Sequence, residues 1–179
     1  NLKGWELLFK GSKTGSYLTI EECESGTVPV VIWEVTAADE AALDRYEGFP
    51  HFYYKRDIKL QYKGIRTGKR RTVTAFAYIM HEERPIGIPT NFYMRTCLEG
   101  YTTFHFNKNI LIDAAGGRVN VSFGENSAAD VICRMDKDTF DKLIDGRSSF
   151  HKAFMTGEMT ARGNLKTLRM LDELFTFTA

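Results

Sequence analysis

Short apolar and aromatic runs separated by turn residues fill about the first 80 residues, and this pattern predicts strands. Two such runs cover residues 5–10 and 17–22. The stretch 28–35, with the sequence VPVVIWEV, is almost continuously apolar, which is typical of a strand buried on both faces. We therefore expect residues 28–35 to form a central strand.

A short helix is predicted directly after this run. Thr36 and Asp39 have the spacing of a capping box, and apolar positions then recur at helical spacing. Gly48 is a suitable C-terminal cap, so we expect the helix to end at Glu47. Strands are predicted at 52–62 and 70–80, joined as a hairpin, and a helix at 91–101.

The organisation restarts near residue 107, which divides the chain into segments 1–106 and 107–179. Strands are predicted at 118–123 and 130–135, followed by a helix that Asp136 caps and Gly146 closes. Further elements are a helix at 148–155, a strand at 158–162 and a last helix capped by Asn164. The apolar stripe of that last helix either lines a pocket or fills a core; it comprises Leu165, Leu168, Leu171, Leu174 and Phe175.

Composition narrows the choice of partners. Lysine and arginine (24) nearly balance aspartate and glutamate (23), which gives no support for nucleic acid or an anionic membrane as a partner. No apolar run reaches the roughly 20 residues of a membrane-spanning helix. Cys23, Cys97 and Cys133 show no metal-ligand spacing and fit reduced thiols, so we expect a cytoplasmic protein without a metal site.

The residues 28–56 (VPVVIWEVTAADEAALDRYEGFPHFYYKR) run in the order strand, short helix, L-D-x-x-E-G, aromatic strand. With AFAYIM (75–80), RPIGIPTNFY (84–93) and LEGY (98–101), this order resembles the γ-glutamylcyclotransferase-like family, including its plant avirulence-induced relatives, over about residues 1–106. The resemblance implies a small mixed β-barrel with flanking helices. It also implies that Glu47, the glutamate of the motif, is the general acid/base.

The implied reaction releases 5-oxoproline from γ-glutamyl peptides or amines and needs no metal or organic cofactor. Independently of the family, a carboxylate at a helix C-terminus beside aromatic rings should have a raised pKa, which suits proton transfer. Tyr53, Tyr93 and Tyr101 are candidates for positioning the substrate. The alternatives are a solvated surface glutamate at position 47 and tyrosines that only pack at the sheet edge.

One part of the family pattern is missing from this sequence. The family carries a Y-G-S-N loop ahead of the segment that begins here with Asn1, and the loop contributes backbone amides to the site. We therefore expect this chain to be an amino-terminally incomplete form whose activity depends on supplying the loop, because losing even one oxyanion donor costs on the order of a hundredfold in rate.

Residues 129–175 (ADVICRMDKDTFDKLIDGRSSFHKAFMTGEMTARGNLKTLRMLDELF) follow the order strand, helix, helix, strand and apolar final helix. This order resembles the sterol carrier protein type 2 family over about residues 115–177, with a shortened amino-terminal part. The resemblance implies a short sheet with helices that encloses an acyl chain, acyl-CoA or sterol. The candidate lipid-pocket residues are Phe140, Leu143, Phe154, Leu168 and Leu171.

The sequence thus predicts an α+β chain of two segments and leaves several functions open. The first is a cyclotransferase-like enzyme with an appended lipid carrier. The second is a non-catalytic lipid-binding or acyl-CoA-binding protein with a degenerate cyclotransferase domain, and the third is a chain in which neither site is complete. Open sheet edges also predict pairing into a homo-oligomer.

Overall fold

The computed structural model describes residues 1–12, 15–64, 67–115, 118–124 and 126–174. Helices and strands alternate along the chain, with most of the strands in its first two thirds. Their bounds are β1 (Leu2–Ser12), β2 (Gly15–Val28), α1 (Ala37–Glu47), β3 (Tyr53–Lys63), β4 (Arg70–Met80), α2 (Asn91–Thr103), β5 (Ile110–Ala115), β6 (Arg118–Phe123), β7 (Val131–Met135), α3 (Lys137–Ile144), α4 (Phe150–Met155), β8 (Met159–Gly163) and α5 (Leu165–Leu174).

The strands form four separate two-stranded antiparallel sheets, which pair β1 with β2, β3 with β4, β5 with β6 and β7 with β8. The predicted α+β class is therefore correct. The predicted mixed barrel is not found, because the strands of the described residues close no barrel and all pair antiparallel.

The stretch 28–35 departs most from the prediction. Val28 ends β2, and residues 29–35 belong to no strand. Within the described parts of the chain, no backbone hydrogen bond joins residues 29–35 to another segment. Trp33 is 70% exposed and meets Phe104 edge to face at 6.0 Å. An apolar run predicts burial, but a strand also requires backbone hydrogen bonds to a neighbouring strand, and residues 29–35 pair with none of β1 to β4.

The helix α1 confirms its predicted boundaries. Thr36 is the N-cap, and its side chain accepts a hydrogen bond from the Asp39 backbone N–H while the Asp39 carboxylate accepts from the Thr36 N–H, as a capping box requires. Gly48 closes the helix in the left-handed conformation at φ 65°. Backbone groups at both ends of α1 therefore have hydrogen-bond partners within the helix and its caps. The last turn, which carries Glu47, is fixed by these caps.

Most other predicted elements are confirmed. The strands β3 and β4 form the expected hairpin, which begins with Tyr53 opposite Met80, although residues 65 and 66 of its turn lie outside the described residues. Asp136 caps α3, and Asn164 accepts a hydrogen bond from the Lys166 N–H at the start of α5. The strand β5 was not predicted. Phe175 of the predicted stripe lies outside the described residues.

The larger hydrophobic core contains residues from both segments. Phe9 and Met94 from the first segment pack in one cluster with Val121, Ile144 and Leu168 from the second. Arg95 of α2 adds ion pairs to Asp141 at 3.0 Å and Asp145 at 2.5 Å, both at the end of α3. A smaller cluster within the first segment contains Leu2, Trp5, Val28, Ile58 and Ile79. The two segments therefore share a core.

No helix in the described ranges is both long and apolar enough to cross a membrane.

Candidate active site

Glu47 lies at the last position of α1 and is half-buried. Burial raises the pKa of its carboxyl above the ordinary value of 4.5, because a low-dielectric surrounding disfavours the charged form. The direction agrees with the expectation from sequence, and desolvation is its cause. Glu47 is thus a carboxyl that can both hold and release a proton closer to neutral pH than a solvated one.

Two tyrosine hydroxyls meet on one residue of β2. The Tyr53 hydroxyl donates to the Leu18 carbonyl oxygen at 3.3 Å, and the Leu18 N–H donates to the Tyr93 hydroxyl oxygen at 3.2 Å. Tyr17 packs its ring edge to face on Tyr93, with centroids 5.2 Å apart. Strand β3, helix α2 and strand β2 therefore converge through these side chains.

The Glu47 carboxylate belongs electrostatically to the same group. Burial is the largest cause of the raised pKa of Tyr53 and Tyr93, and the negative charge of Glu47 raises both further. The pKa of Tyr93 reaches about 12, and that of Tyr53 is raised strongly. Both hydroxyls consequently stay protonated near neutral pH and act as hydrogen-bonding groups, whereas Glu47 is the member of this group suited to accept a proton.

A network of charges anchors α1 to the β3–β4 hairpin. Asp44 accepts hydrogen bonds from the Tyr78 hydroxyl at 2.5 Å and, through its other oxygen, from the Lys55 ammonium at 3.1 Å. Lys55 also bonds Glu40 at 2.6 Å and lies 4.7 Å above the Phe49 ring. Because Asp44 lies three residues before Glu47, the network fixes the turn that carries the candidate acid/base.

Tyr101 does not join this group. Its ring stacks on Phe123 with centroids 4.2 Å apart and meets Phe106 edge to face at 5.5 Å. The hydroxyl is buried and has no hydrogen-bond partner among the described residues, and burial raises its pKa to about 12. Tyr101 therefore packs in the core shared by the two segments, and the alternative of a packing role fits its position better than substrate contact.

Cys97 offers no activated nucleophile. The side chain is buried at 8% exposure, and burial raises its pKa to about 12 even though a hydrogen bond with Tyr93 lowers it. The thiol is therefore protonated at neutral pH.

His81 uses its Nε2 in a 2.9 Å hydrogen bond with the Pro50 carbonyl oxygen. Cys23, Cys97 and Cys133 are all free cysteines.

The five candidate lipid-pocket residues lie in one apolar cluster. Leu143 and Leu168 are buried at 7% and 1% exposure, and Phe140, Phe154 and Leu171 pack against them. The prediction brought together residues from α3, α4 and α5 that are indeed neighbours. In this structure they fill the core with each other. Of the apolar stripe of α5, Leu168 and Leu171 pack in that core, whereas Leu165 is 49% exposed.

A cavity of about 240 Å³ also opens in the first segment. Glu47 does not line it, and the tyrosine of β3 that faces it is Tyr54, which points to the opposite face of the strand from Tyr53. Its lining residues are Trp5, Ile20, Glu21, Glu22, Tyr54, Arg56 and Glu82.

Two contributors to the site were missed at the sequence level. Leu18 acts through its backbone N–H and carbonyl, so its side chain carries no signal for this role. Asp44 is the aspartate of the L-D-x-x-E-G motif, and its place in the motif could have indicated that it contributes to the site. Its partners Tyr78 and Lys55 lie on other elements, and only the fold brings them together.

Comparison with known families agrees with this architecture. Residues 1–95, more than half of the chain, match the family described as Gamma-glutamyl cyclotransferase, AIG2-like, and residues 101–176 match the SCP-2 sterol transfer family. Comparisons with curated proteins and with solved structures give no match. The two family matches meet inside α2, the helix that carries Tyr93 and Tyr101. The chain therefore belongs to the Gamma-glutamyl cyclotransferase, AIG2-like family, and carries an SCP-2 sterol transfer family segment after it.

Proposed function

We propose that the first segment is a γ-glutamylcyclotransferase-like enzyme that releases 5-oxoproline from γ-glutamyl peptides or amines, with Glu47 as the general acid/base. The observation that carries the proposal is the half-buried Glu47 carboxyl with a raised pKa, grouped with two protonated tyrosine hydroxyls. The family of residues 1–95 supports the same chemistry.

The reaction is an intramolecular acyl transfer. The α-amine nitrogen of the γ-glutamyl group forms a bond to its own γ-carbonyl carbon, and the bond from that carbon to the leaving nitrogen breaks. Glu47, as carboxylate, takes a proton from the α-ammonium and gives it to the leaving nitrogen, so the carboxylate is restored. The second proton that the α-nitrogen loses on forming the lactam is taken up by the released amine, which leaves as an ammonium ion. Holding the substrate in a folded, near-attack shape supplies much of the rate gain.

Tyr53 and Tyr93 have the role of positioning groups in this proposal. Leu18 holds both hydroxyls through its carbonyl and N–H, which reduces the number of orientations each can adopt. Tyr93 accepts from Leu18 and can donate its hydroxyl hydrogen to the substrate, whereas Tyr53 donates to Leu18 and can accept from the substrate. Because both phenols stay protonated, neither adds a negative charge beside Glu47.

The test is release of 5-oxoproline from a panel of γ-glutamyl dipeptides and amines. We expect the Glu47→Gln variant to lose at least about a hundredfold in kcat, the usual scale of general acid/base catalysis. The matched control is Glu99→Gln, which changes an exposed glutamate of α2 in the same way and should keep full activity. Absence of 5-oxoproline release from every substrate, both by this chain and by a folded form that carries the Y-G-S-N loop ahead of residue 1, contradicts the proposal, as does an unchanged rate in Glu47→Gln.

We also propose that the second segment binds a lipid, such as an acyl chain, acyl-CoA or sterol. The match of residues 101–176 to the SCP-2 sterol transfer family supports this. We expect the chain to bind a fluorescent fatty acid, and Phe154→Ala to weaken binding several-fold by removing apolar contact area. Met155→Ala, which changes a 69% exposed neighbour, is the control and should bind as the wild type does.

A further inference from the structure

A second cavity, of about 540 Å³, opens on the surface of the second segment. Polar and positively charged side chains form most of its wall. It lies where the end of α3, the loop after it, helix α4 and the start of β8 come together. None of the five candidate lipid-pocket residues lines it. Its lining residues are Lys142, Arg147, Ser148, Lys152, Thr156 and Glu158.

Backbone hydrogen bonds place Arg147 and Ser148, from the loop after α3, in the lining of this cavity. The N–H groups of Arg147 and Ser148 both donate to the Lys142 carbonyl oxygen, at 2.8 and 3.1 Å, so the loop folds back over the last turn of α3. Gly146 allows the reversal with a φ of 66°. Arg147 and Ser148 therefore lie beside Lys142, on the same wall.

The wall carries three cations and one carboxylate. Glu158 pairs with Lys142, and the Arg147 guanidinium bonds Asp145 through Nη2 at 2.8 Å and Nε at 3.1 Å. The Lys152 ammonium has no carboxylate partner within the part of the chain that the structure describes. Once Glu158 and Asp145 are counted, the Lys152 ammonium is the cation of the described lining that has no carboxylate to balance it, and a bound anion would do so.

Ser148 supplies an independent indication of a ligand. Its Oγ is buried and has no hydrogen-bond partner among the described residues. A buried hydroxyl without a partner costs free energy, because the group has lost its hydrogen bonds to water and gained none. A ligand oxygen in the cavity could provide the missing partner, since Ser148 belongs to the lining.

We propose that this cavity binds the phosphate group of a phosphate monoester. A phosphate monoester presents three terminal oxygens, so it can accept hydrogen bonds from Lys142, Arg147 and Lys152 and from the Ser148 hydroxyl together. A carboxylate has only two oxygens and would leave donors without partners. The cavity is larger than a phosphate group, so the organic part of the ester fits as well. The proposal does not depend on lipid binding by the neighbouring apolar cluster.

A phosphate monoester can come from a soluble metabolite or from a phospholipid headgroup, and one pair of probes separates the two sources. Glycerol phosphate is measured by isothermal titration calorimetry, with glycerol as the blank. Vesicles of phosphatidic acid in phosphatidylcholine are measured by co-sedimentation, with phosphatidylcholine alone as the blank. The full chain is used throughout.

The variant Arg147→Gln/Lys152→Gln removes two cations from the wall and should weaken binding by about tenfold or more, the loss expected for a charge-assisted hydrogen bond. The control Lys59→Gln/Arg71→Gln removes the same charges from exposed positions of β3 and β4 and should bind as the wild type does. Ser148→Ala should weaken binding several-fold without lowering the urea midpoint of unfolding, because it deletes a group that has no partner in the folded chain.

Binding of glycerol phosphate that only the cavity variants weaken supports the proposal with a soluble ligand. Vesicle binding alone, with the same dependence on the variants, supports it with a lipid headgroup. The proposal is overturned by absence of binding to both probes, or by a control pair that weakens binding as much as the cavity pair. An unchanged affinity in Ser148→Ala, with the protein folded, likewise overturns the assignment.

Discussion

Asp44 and Glu47 lie three residues apart on one short helix, and their pKa shifts have opposite signs. Hydrogen bonds from Tyr78 and then Lys55 lower the pKa of Asp44, whereas burial raises that of Glu47. The two carboxylates of this motif therefore differ in charge: Asp44 stays ionised to lower pH and holds the helix, whereas Glu47 takes up a proton at higher pH, as the proposed acid/base role requires.

The raised pKa of Glu47 predicts the acid side of the pH–rate profile. In the role we propose for it, Glu47 must be ionised to accept the substrate proton, so kcat/KM should fall as pH drops through its pKa. The midpoint of that limb should lie above 4.5, the ordinary value for a glutamate, because burial shifts the carboxyl upwards. A profile of kcat/KM against pH measures this midpoint, and a value at or below 4.5 would contradict the proposed role of a buried Glu47 carboxyl.

Asp44→Asn should lower the free energy of unfolding at neutral pH, because Tyr78 and Lys55 lose a charged acceptor. The depressed pKa means that this stabilisation is present above 3.8 and is lost as pH falls through the lower pKa of the folded state. Urea unfolding at several pH values should therefore show a difference between variant and wild type that narrows in acid.

The matched control for this variant is Asp57→Asn, which neutralises an exposed aspartate of β3. It should unfold with nearly the wild-type midpoint. If Asp44 positions Glu47, the Asp44→Asn variant should also lose kcat more than it raises KM, since a displaced acid/base affects the chemical step. Equal destabilisation by both variants would argue against a specific network.

The raised pKa of Glu47 and its place at the end of α1 could be predicted from sequence, because a helix end and its adjacent aromatic residues are local features. Tyr53 and Tyr93 were predicted from the same family pattern, and the structure brings them to Leu18. Tyr101 was also a candidate, but it packs on Phe123 from a segment more than twenty positions later in the chain. The sequence pattern around Tyr101 carries no information about a contact with a residue so far along the chain.

At the scale of elements, α1 and the stretch 28–35 show where the sequence is and is not informative. The ends of α1 are set by Thr36, Asp39 and Gly48, all within the helix and its caps, so the boundaries were predicted correctly. The stretch 28–35 is as apolar as a central strand, yet β pairing depends on a partner elsewhere in the chain. The strand β5 was missed for a related reason, since its partner β6 defines it.

Two glycines give a matched test of helix ends and interiors. Gly48→Ala should destabilise the protein by about 1–2 kcal/mol, because residue 48 is left-handed at φ 65°. The added Cβ would also lie only 3.2 Å from the Cβ of Phe52. Gly100→Ala lies inside α2 with open space around the new Cβ and should stabilise by about 0.5–1 kcal/mol.

Urea unfolding of the two variants measures both effects. The opposite signs make the result informative, because any general effect of replacing glycine by alanine would act in one direction. Destabilisation by Gly100→Ala, or an unchanged midpoint in Gly48→Ala, would contradict the conformations described for these positions.

At the scale of the whole molecule, two family matches correspond to one shared hydrophobic core. Phe9 and Met94 are fully buried against residues of the second segment, including Val121 and Leu168. A core that crosses the boundary predicts that the segments unfold together, since exposing one face exposes the other.

Leu168→Ala tests this coupling. Leu168 is 1% exposed, so the substitution should destabilise the protein by about 2–5 kcal/mol. Both tryptophans, Trp5 and Trp33, lie in the first segment, and their fluorescence should report the destabilisation caused in the second. The control Leu165→Ala changes a 49% exposed leucine of the same helix and should have a small effect.

Thermal and urea unfolding followed by tryptophan fluorescence and by far-ultraviolet circular dichroism provide the readout. A single transition that moves equally with both probes is expected. Two separate transitions, with tryptophan fluorescence unaffected by Leu168→Ala, would show that the segments unfold independently despite their contact.

The position of α2 limits how the coding sequences of the two family segments can be joined by recombination. One continuous helix supplies Tyr93 to the candidate active site and Cys97 and Tyr101 to the shared core, and the two family matches meet between residues 95 and 101. A breakpoint there divides a helix rather than a linker. Inserting a single residue at the junction would rotate everything after it by about 100°, because an α-helix has 3.6 residues per turn. Only exchanges that preserve the helical phase can therefore keep both faces of α2 in place.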